Sequence, residues 1–385
     1  MRDLIRASLD ADALAHSRRL VELIGAEIAR SQGWIGFDRF MQLALYAPGL
    51  GYYNGGATKL GAAGDFVTAP ELSPLYSRTL ARQIGAVLSL GAGDVLELGA
   101  GSGRMAEEML RALNETGSLP GRYLILEVSA ELAERQRQRL RKLPERLASR
   151  VAWIDRLPSA FRGAVVCNEV LDALPVHLIS WDETGIRERG VARSGDAFVW
   201  DERPVADHEL LADARRLAPP PPYLSELARA GPALVAAIGG VLECGVLLVI
   251  DYGFGEREYY HPQRNHGTLM CHFRHRAHAD PFFLPGLQDI TSHVDFTALT
   301  RAGTQAGLEV LGYTTQAHFL VNLGITELMA CTPAEDAAAY LPLAAQAQKL
   351  LSPAEMGELF KVIALGRGID RALQGFRSGD MSRLL

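Results

Sequence analysis

The residues with the clearest chemical potential form one run, Val95-Leu96-Glu97-Leu98-Gly99-Ala100-Gly101-Ser102-Gly103. Glycines at alternate positions after an apolar strand let the backbone approach a ligand where a Cβ would intrude. They also set that ligand beside a helix N-terminus. Dinucleotide dehydrogenases use G-x-G-x-x-G for this purpose. Here the third glycine comes one position early, and Arg104 stands where the last one would fall. Glu97 lies two residues before the first glycine, and a carboxylate there suits an ammonium or sulfonium group better than a pyrophosphate. Glu97, Gly99, Ala100, Gly101 and Gly103 are therefore candidate contacts for S-adenosylmethionine rather than NAD.

Three further strand ends carry acids. Glu127, with Val128 beside it, closes the second strand and can hydrogen-bond ribose hydroxyls; the alternative is a solvated strand end. Trp153-Ile154-Asp155 closes the third, where an apolar side chain can cover adenine and Asp155 can accept from its amino group. A core isoleucine with a surface acid explains the same residues. The fourth ends at Asn168-Glu169, followed by Asp172. Ligands of open α/β sheets bind beyond the carboxyl ends of the strands, so Asn168, Glu169 and Asp172 are candidate catalytic residues. Glu169 and Asp172 are three apart, and a helical turn would place both on one side. Such a pair could hold a guanidinium and favour its deprotonation; alternatively Glu169 braces a helix start. Methyl transfer from a sulfonium needs in-line placement and exclusion of water, and no nucleophilic side chain is required.

These residues need a frame. Residues 13–32 and Phe37 to Tyr46 have helical spacing, 48–65 is a glycine-rich loop, and helical spacing resumes from Pro74 to Leu90. Strands at 94–98, 123–128, 151–154 and 164–167 alternate with helices, which predicts a parallel sheet flanked by helices. Short strands around Gly185 and Gly195 follow, then four prolines at 219–222, which form a stiff linker. A helix is expected over 223–239 and an apolar strand over 246–250, ending in Asp251-Tyr252-Gly253. Residues 254–290 read as loop, followed by a helix from Asp295 and a strand over 308–313. The remainder reads as helical, with Ser352-Pro353-Ala354-Glu355 as a capping box. The expected division is an N-terminal helical region and glycine-rich loop (1–90), a Rossmann-like core (91–175 and 241–331), an inserted substrate or partner subdomain (176–240) and C-terminal helices (332–385).

Composition sets the outer bounds. The 385 residues are 48% hydrophobic and 22% charged, with formal charge −6. That is an ordinary globular balance with no basic field for nucleic acid. The cluster Arg135, Arg137, Arg139, Arg141 and Lys142 reads as a solvated helix face. Cys167, Cys244, Cys271 and Cys331 show no CxxC spacing. His266, His272, His275 and His278 match no zinc signature, and no metal is expected. Asp10 and Asp12 interrupt the start, which argues against a signal or transit peptide. No apolar run spans a bilayer, so no membrane insertion is expected. A reducing, cytoplasmic setting follows, and the composition is compatible with a homodimer.

Taken together, several stretches resemble the MidA-like methyltransferases, the group that includes the mitochondrial complex I assembly factor with protein-arginine methyltransferase activity. They are Tyr46 to Tyr53, Gly64 to Glu71, Glu97 to Gly103, Asn168 to Pro175 and Gln288 to Phe296, with Asp251-Tyr252-Gly253, Gly267-Thr268-Leu269 and a closing helix around Gly357 to Gly366. The resemblance implies a class I methyltransferase core with an extra N-terminal region and inserted elements that cover the substrate. It implies that Gly64, Asp65 and Thr68 line the cofactor pocket. It also implies a protein acceptor, an arginine of a complex I subunit being the nearest parallel. The alternatives are a small-molecule methyltransferase, or an assembly chaperone that binds cofactor without turnover. An NAD-dependent oxidoreductase is opposed by the early third glycine and Glu97.

Overall fold

The computed structural model describes residues 10–55, 68–91 and 93–385. The chain divides into two compact units, each built from discontinuous segments. One comprises Val67–Leu171, Pro232–Gly255 and Val294–Leu385. Its sheet contains β1 (Asp94–Leu98), β2 (Tyr123–Leu126), β3 (Val151–Ile154), β4 (Phe161–Asn168), β5 (Leu242–Phe254), β6 (Glu309–Thr315) and β7 (Phe360–Arg367). The spatial order is β3-β2-β1-β4-β5-β7-β6. The first five are mutually parallel, whereas β7 runs antiparallel to both β5 and β6. Val246 to Ile250 in β5 and Val362 to Leu365 in β7 are buried. Burying each such aliphatic side chain stabilises by about 1.5–3 kcal/mol. Continuous apolar runs of this kind belong to strands covered on both faces. The helix Arg104–Glu115 buries Met105, Met109, Leu110 and Leu113, and Pro74–Leu88 buries Leu75, Tyr76, Leu80 and Ile84. All eight join one core with Val95, Tyr123, Ile125 and Val166.

Because the parallel strands share a direction, their carboxyl ends lie along one edge. That edge collects Glu97, the glycine turn, Glu127, Asp155, Asn168 and Glu169.

The C-terminal segment departs from the expected helices. Residues 332–385 are not all helical: β7 occupies 360–367, and the segment around Gly357 to Gly366 forms no helix. Ser352 ends the helix Ala337–Leu351 instead of starting one. Turns follow it over 353–359, with the Glu355 and Gly357 N–H groups donating to the Ser352 carbonyl, and lead straight into β7, so the capping-box spacing is coincidental. Helix Pro74–Leu88 also packs into the sheet's core and so belongs to this unit, not to a separate region ending at 90.

The other unit comprises Met1–Phe66, Asp172–Gly231 and Glu256–His293. Helices Ala11–Arg30 and Phe37–Tyr46 pack against an antiparallel sheet of Trp34–Gly36, Gly185–Ser194, Val176–Asp182 and Tyr223–Ala228, with Ala197–Pro204 on Gly185–Ser194. The helix expected over 223–239 is therefore a strand followed by the helix Ala230–Val241. Edge pairing with Val176–Asp182 overrides the helical preference of Leu224, Glu226, Leu227 and Ala228. The supposed loop over 254–290 contributes a three-stranded sheet of Arg276–His278, Met270–Phe273 and Asp289–Thr291.

One charged cluster ties this unit's sheet to its second helix. His177 Nδ1 lies 2.9 Å from Glu188 Oε1 and 3.6 Å from Asp38 Oδ1. Burial opposes a charge on the ring, as does Arg229, but the Glu188 hydrogen bond and the Asp38 and Glu188 charges prevail and raise its pKa above the ordinary value. A raised histidine stabilises fully below its unfolded pKa, about 6.5, and loses that stabilisation as pH rises through the folded value. His177→Gln is therefore expected to be less stable than the parent by about 1–2 kcal/mol near pH 6, with the gap narrowing at higher pH. Thermal melts of both proteins from pH 5.5 to 8.5 check this; a gap independent of pH would contradict it.

Candidate active site at the carboxyl edge of the sheet

The turn after β1 is built from left-handed backbone. Gly99, Gly101 and Gly103 have φ of +62°, +54° and +80°. L-residues pay about 1–2 kcal/mol for such a conformation, which explains glycine at every second position. Gly103 leads into the helix Arg104–Glu115 with no side-chain cap. The first turn of that helix leaves N–H groups directed toward the edge. Ala100, between the glycines, is buried.

Glu97 is an unusual residue for a core strand. It is 1% exposed. Its Oε2 accepts a hydrogen bond of 2.6 Å from the Tyr123 hydroxyl on β2. Burial pushes its pKa up to about 7, the Tyr123 hydrogen bond works against that rise, and the nearby Glu127 charge adds to it. Two acids thus share this end of the sheet, and an approaching cation would relieve both.

Glu127 follows β2 and is half-buried. Its Oε1 accepts from the Ser129 N–H at 2.8 Å and its Oε2 from the Gln136 side-chain amide at 2.9 Å. The orientation of the carboxylate is thereby fixed. Val128 beside it is 72% exposed, a large apolar side chain left at a polar strand tip. Asp155 stands apart from this arrangement: it is exposed and pairs with neighbouring Arg156 at 3.2 Å. Trp153 turns inward instead, donating from Nε1 to Gln136 Oε1 at 2.9 Å.

At the end of β4, Asn168 is buried and its Oδ1 accepts from the Tyr76 hydroxyl. Its Nδ2 donates to Glu169 Oε1 at 3.1 Å. Glu169 adopts φ +52°, which a non-glycine residue keeps only when its surroundings enforce it. Its N–H donates to the Ile250 carbonyl on β5 at 2.9 Å. The same Oε1 accepts from the Ala69 N–H at 3.2 Å, at the start of the short helix Ala69–Leu72. The bracing role considered for Glu169 is thus present, but on a helix distant in sequence.

The expected helical turn over 169–172 does not form, because Glu169 leaves β4 in left-handed backbone and bends follow. Asp172 belongs to the other unit, where its carbonyl accepts from the Ser292 N–H at 2.9 Å. Its charge, with those of Asp289 and Tyr46, reinforces the effect of burial in raising the Tyr53 hydroxyl pKa. Tyr53 donates to Asp289 Oδ1 at 3.0 Å and stacks on Tyr46 at 5.4 Å.

Thr68 precedes the helix Ala69–Leu72 as its N-cap residue without a side-chain cap bond, while Gly64 and Asp65 lie outside the described residues. Sequence reasoning missed Glu71, in the same short helix. Its carboxylate accepts from the Ser102 hydroxyl, and its carbonyl accepts from Arg104 Nη1 at 3.1 Å. The four-residue helix is therefore fastened to β4 through Glu169 and to the glycine turn through Glu71. The histidines at 266, 272, 275 and 278 form no ligand cluster; among the described residues, the one His/Cys/Asp/Glu group with metal-binding spacing is Asp38, His177 and Glu188.

A five-strand parallel half, an antiparallel seventh strand inserted before the sixth, a glycine turn at the switch from β1 and acids at successive tips together define a class I S-adenosylmethionine-dependent methyltransferase. Residues 79–314 match the Methyltransf_28 family model of S-adenosyl-L-methionine-dependent methyltransferases. The chain belongs to this family, the MidA-like methyltransferases. It is 28% identical to the protein arginine methyltransferase NDUFAF7, mitochondrial, of Danio rerio, over 86% of this chain and 83% of that protein. Identity to the Homo sapiens protein of the same name is also 28%, over 87% and 81%. A crystal structure from Burkholderia thailandensis bound to S-adenosyl-homocysteine superposes with TM-score 0.95 and 50% identity, covering 98% of this chain and 99% of that one. The protein is a methyltransferase that uses S-adenosylmethionine.

Proposed function

We propose that the protein methylates an arginine side chain of another protein, with its cofactor held at the carboxyl edge of the sheet. The observation that carries the acceptor class is the similarity to protein arginine methyltransferases along more than four-fifths of both chains. The chemistry agrees. A guanidinium acceptor needs carboxylates to orient it and to lower the barrier to losing its proton. Glu169 and Asn168 at the β4 tip supply groups of that kind. For the cofactor, the turn from Gly99 through Ala100 and Gly101 to Gly103 offers backbone to the methionine end, and Glu97, once ionised, supplies a buried negative charge. Glu127 and Val128 suit the ribose and its flank, and Asp155 the adenine rim; Thr68, Gly64 and Asp65 join the cofactor residues on the family resemblance alone. When bound, the cofactor supplies an electrophilic methyl on sulfonium; the chain's own part is orientation, exclusion of water and proton acceptance.

A subunit of respiratory complex I is the acceptor that the family resemblance nominates. A reducing, cytoplasmic setting belongs to this reading and is supported by four free cysteines. No helix among the described residues is long and apolar enough to cross a membrane. The direct test is incubation of cell extract with labelled S-adenosylmethionine and the protein, followed by mass spectrometry. Label on arginine of a discrete protein supports the reading. Label confined to small molecules overturns it, and cofactor binding with no transfer favours a chaperone.

Glu169 is where positioning and charge can be separated. Glu169→Ala is expected to lower turnover at least about 100-fold, in the range for loss of a proton-accepting group, while cofactor affinity changes little. In Glu169→Gln the amide oxygen still accepts from Ala69, so turnover recovers only if the carboxylate's work is structural. Steady-state kinetics with calorimetric affinities decide between them. Wild-type turnover in Glu169→Ala would remove this residue from the mechanism.

A further inference from the structure

Gln136 lies outside the motifs that mark this family, on the helix Ala130–Leu140. Its neighbours at helical spacing, Leu132 and Leu140, are buried apolar residues, and Gln136 itself is 0% exposed. A fully buried polar side chain on an apolar stripe requires partners. Gln136 has them on three elements. Its Nε2 donates to the Gly101 carbonyl at 3.0 Å, inside the glycine turn. The same nitrogen donates to Glu127 Oε2 at 2.9 Å, at the tip of β2. Its Oε1 accepts from the Trp153 Nε1–H at 2.9 Å, on β3. A carbonyl and a carboxylate can only accept, and an indole N–H can only donate, so the amide has a single orientation that satisfies all three. Its backbone and stem also back the turn: a Cβ added to Gly103 would sit 3.4 Å from Gln136 Cα.

We propose that Gln136 is a positioning residue for cofactor binding, one amide that sets the turn, the β2-tip acid and the β3 tip in register. The proposal rests on the cofactor lying along this edge of the sheet. Gln136 acts through other groups: it fixes the Gly101 peptide and turns one oxygen of Glu127 inward, which sets the direction the carboxylate faces. Removing it takes away one of the bonds that orient Glu127 and leaves the half-buried Trp153 donor unmatched.

The test is calorimetric titration of the full chain with S-adenosyl-homocysteine. Gln136→Leu, close in volume but without the amide, is expected to bind about 10- to 100-fold more weakly, the range for leaving buried hydrogen-bonding groups unmatched. Gln136→Glu adds a specific readout. Ionised, it accepts from Trp153 but repels Glu127; protonated, it donates again. Its affinity deficit relative to wild type at each pH is therefore expected to shrink between pH 8 and pH 5.5, which loss of packing alone would not produce. Trp153→Phe keeps the ring and removes the indole donor, and its effect should not add to that of Gln136→Leu. Binding within about twofold of wild type for Gln136→Leu, or a deficit in Gln136→Glu that ignores pH, overturns the proposal. If Gly101→Val also binds normally, the edge itself is misassigned; if only the Gln136 variants do, the fault lies with this inference alone.

Discussion

Gly101→Val abolishes S-adenosylmethionine binding, with affinity reduced by at least about 100-fold, while the protein remains folded. Two effects act together. The φ of +54° at this position is one that a β-branched residue adopts only with strain. That strain is worth about 1–2 kcal/mol, small against the 5–15 kcal/mol that ordinarily holds a domain together. The second effect is occupancy, since the branched side chain projects from a turn whose alternate glycines keep backbone accessible to ligand. The Gly101 carbonyl also receives the Gln136 amide, so a shifted peptide disturbs Glu127 as well. Calorimetry for affinity and circular dichroism for the fold check both halves. Unchanged affinity would remove the glycine turn from the cofactor site.

The second large effect concerns Glu97 and pH. Its folded pKa of about 7 lies above the ordinary value of 4.5. The folded protein therefore holds a proton that the unfolded chain has released. Stability is undiminished below pH 4.5 and falls as pH rises toward 7, above which the buried charge exacts its full penalty. A shift of that size corresponds to about 3 kcal/mol. Glu97→Gln is thus expected to be more stable than the parent by up to about 3 kcal/mol at pH 8, with the advantage vanishing near pH 4.5. In the proposed placement cofactor affinity moves the opposite way, because the charge that burdens the ligand-free protein is the one that would meet the cation. The parent should bind more tightly as pH rises through 7, and the variant should bind weakly at every pH. Urea denaturation and titrations across pH 5–8.5 measure the two trends. A variant that binds as well as the parent would place Glu97 in a purely structural role with Tyr123.

The strand-and-helix alternation from 94 to 168 was legible because each strand is short, apolar and bounded by turn residues. The glycine turn announced itself through a demand that only one residue type meets. β7 was not legible. Phe360-Lys361-Val362-Ile363-Ala364-Leu365 suits either state in isolation, and its insertion between β5 and β6 is decided by partners more than 40 residues away. Tyr223–Ala228 misled for the same reason, its strand state resting on pairing with Val176–Asp182.

Residue type and spacing singled out Glu97, Glu127, Asn168 and Glu169 as candidates, but not what they touch. The pairing of Glu169 with Asp172 assumed a helical turn that the left-handed Glu169 forbids. Glu71, Tyr76 and Tyr123 escaped notice because their meaning lies in contacts between elements remote in sequence. Gln136 did leave a trace, a polar residue between Leu132 and Leu140 on an otherwise apolar stripe.

Everything functional here depends on one placement, the cofactor along the carboxyl edge of β1 and β2. Diffraction from crystals of this protein grown with S-adenosyl-homocysteine tests it most directly. The account predicts the ribose hydroxyls on the Glu127 carboxylate and the methionine end over the Gly99 to Gly103 turn, near Glu97. Density for the ligand at another edge of the sheet, or in the unit that holds Asp172, would contradict it.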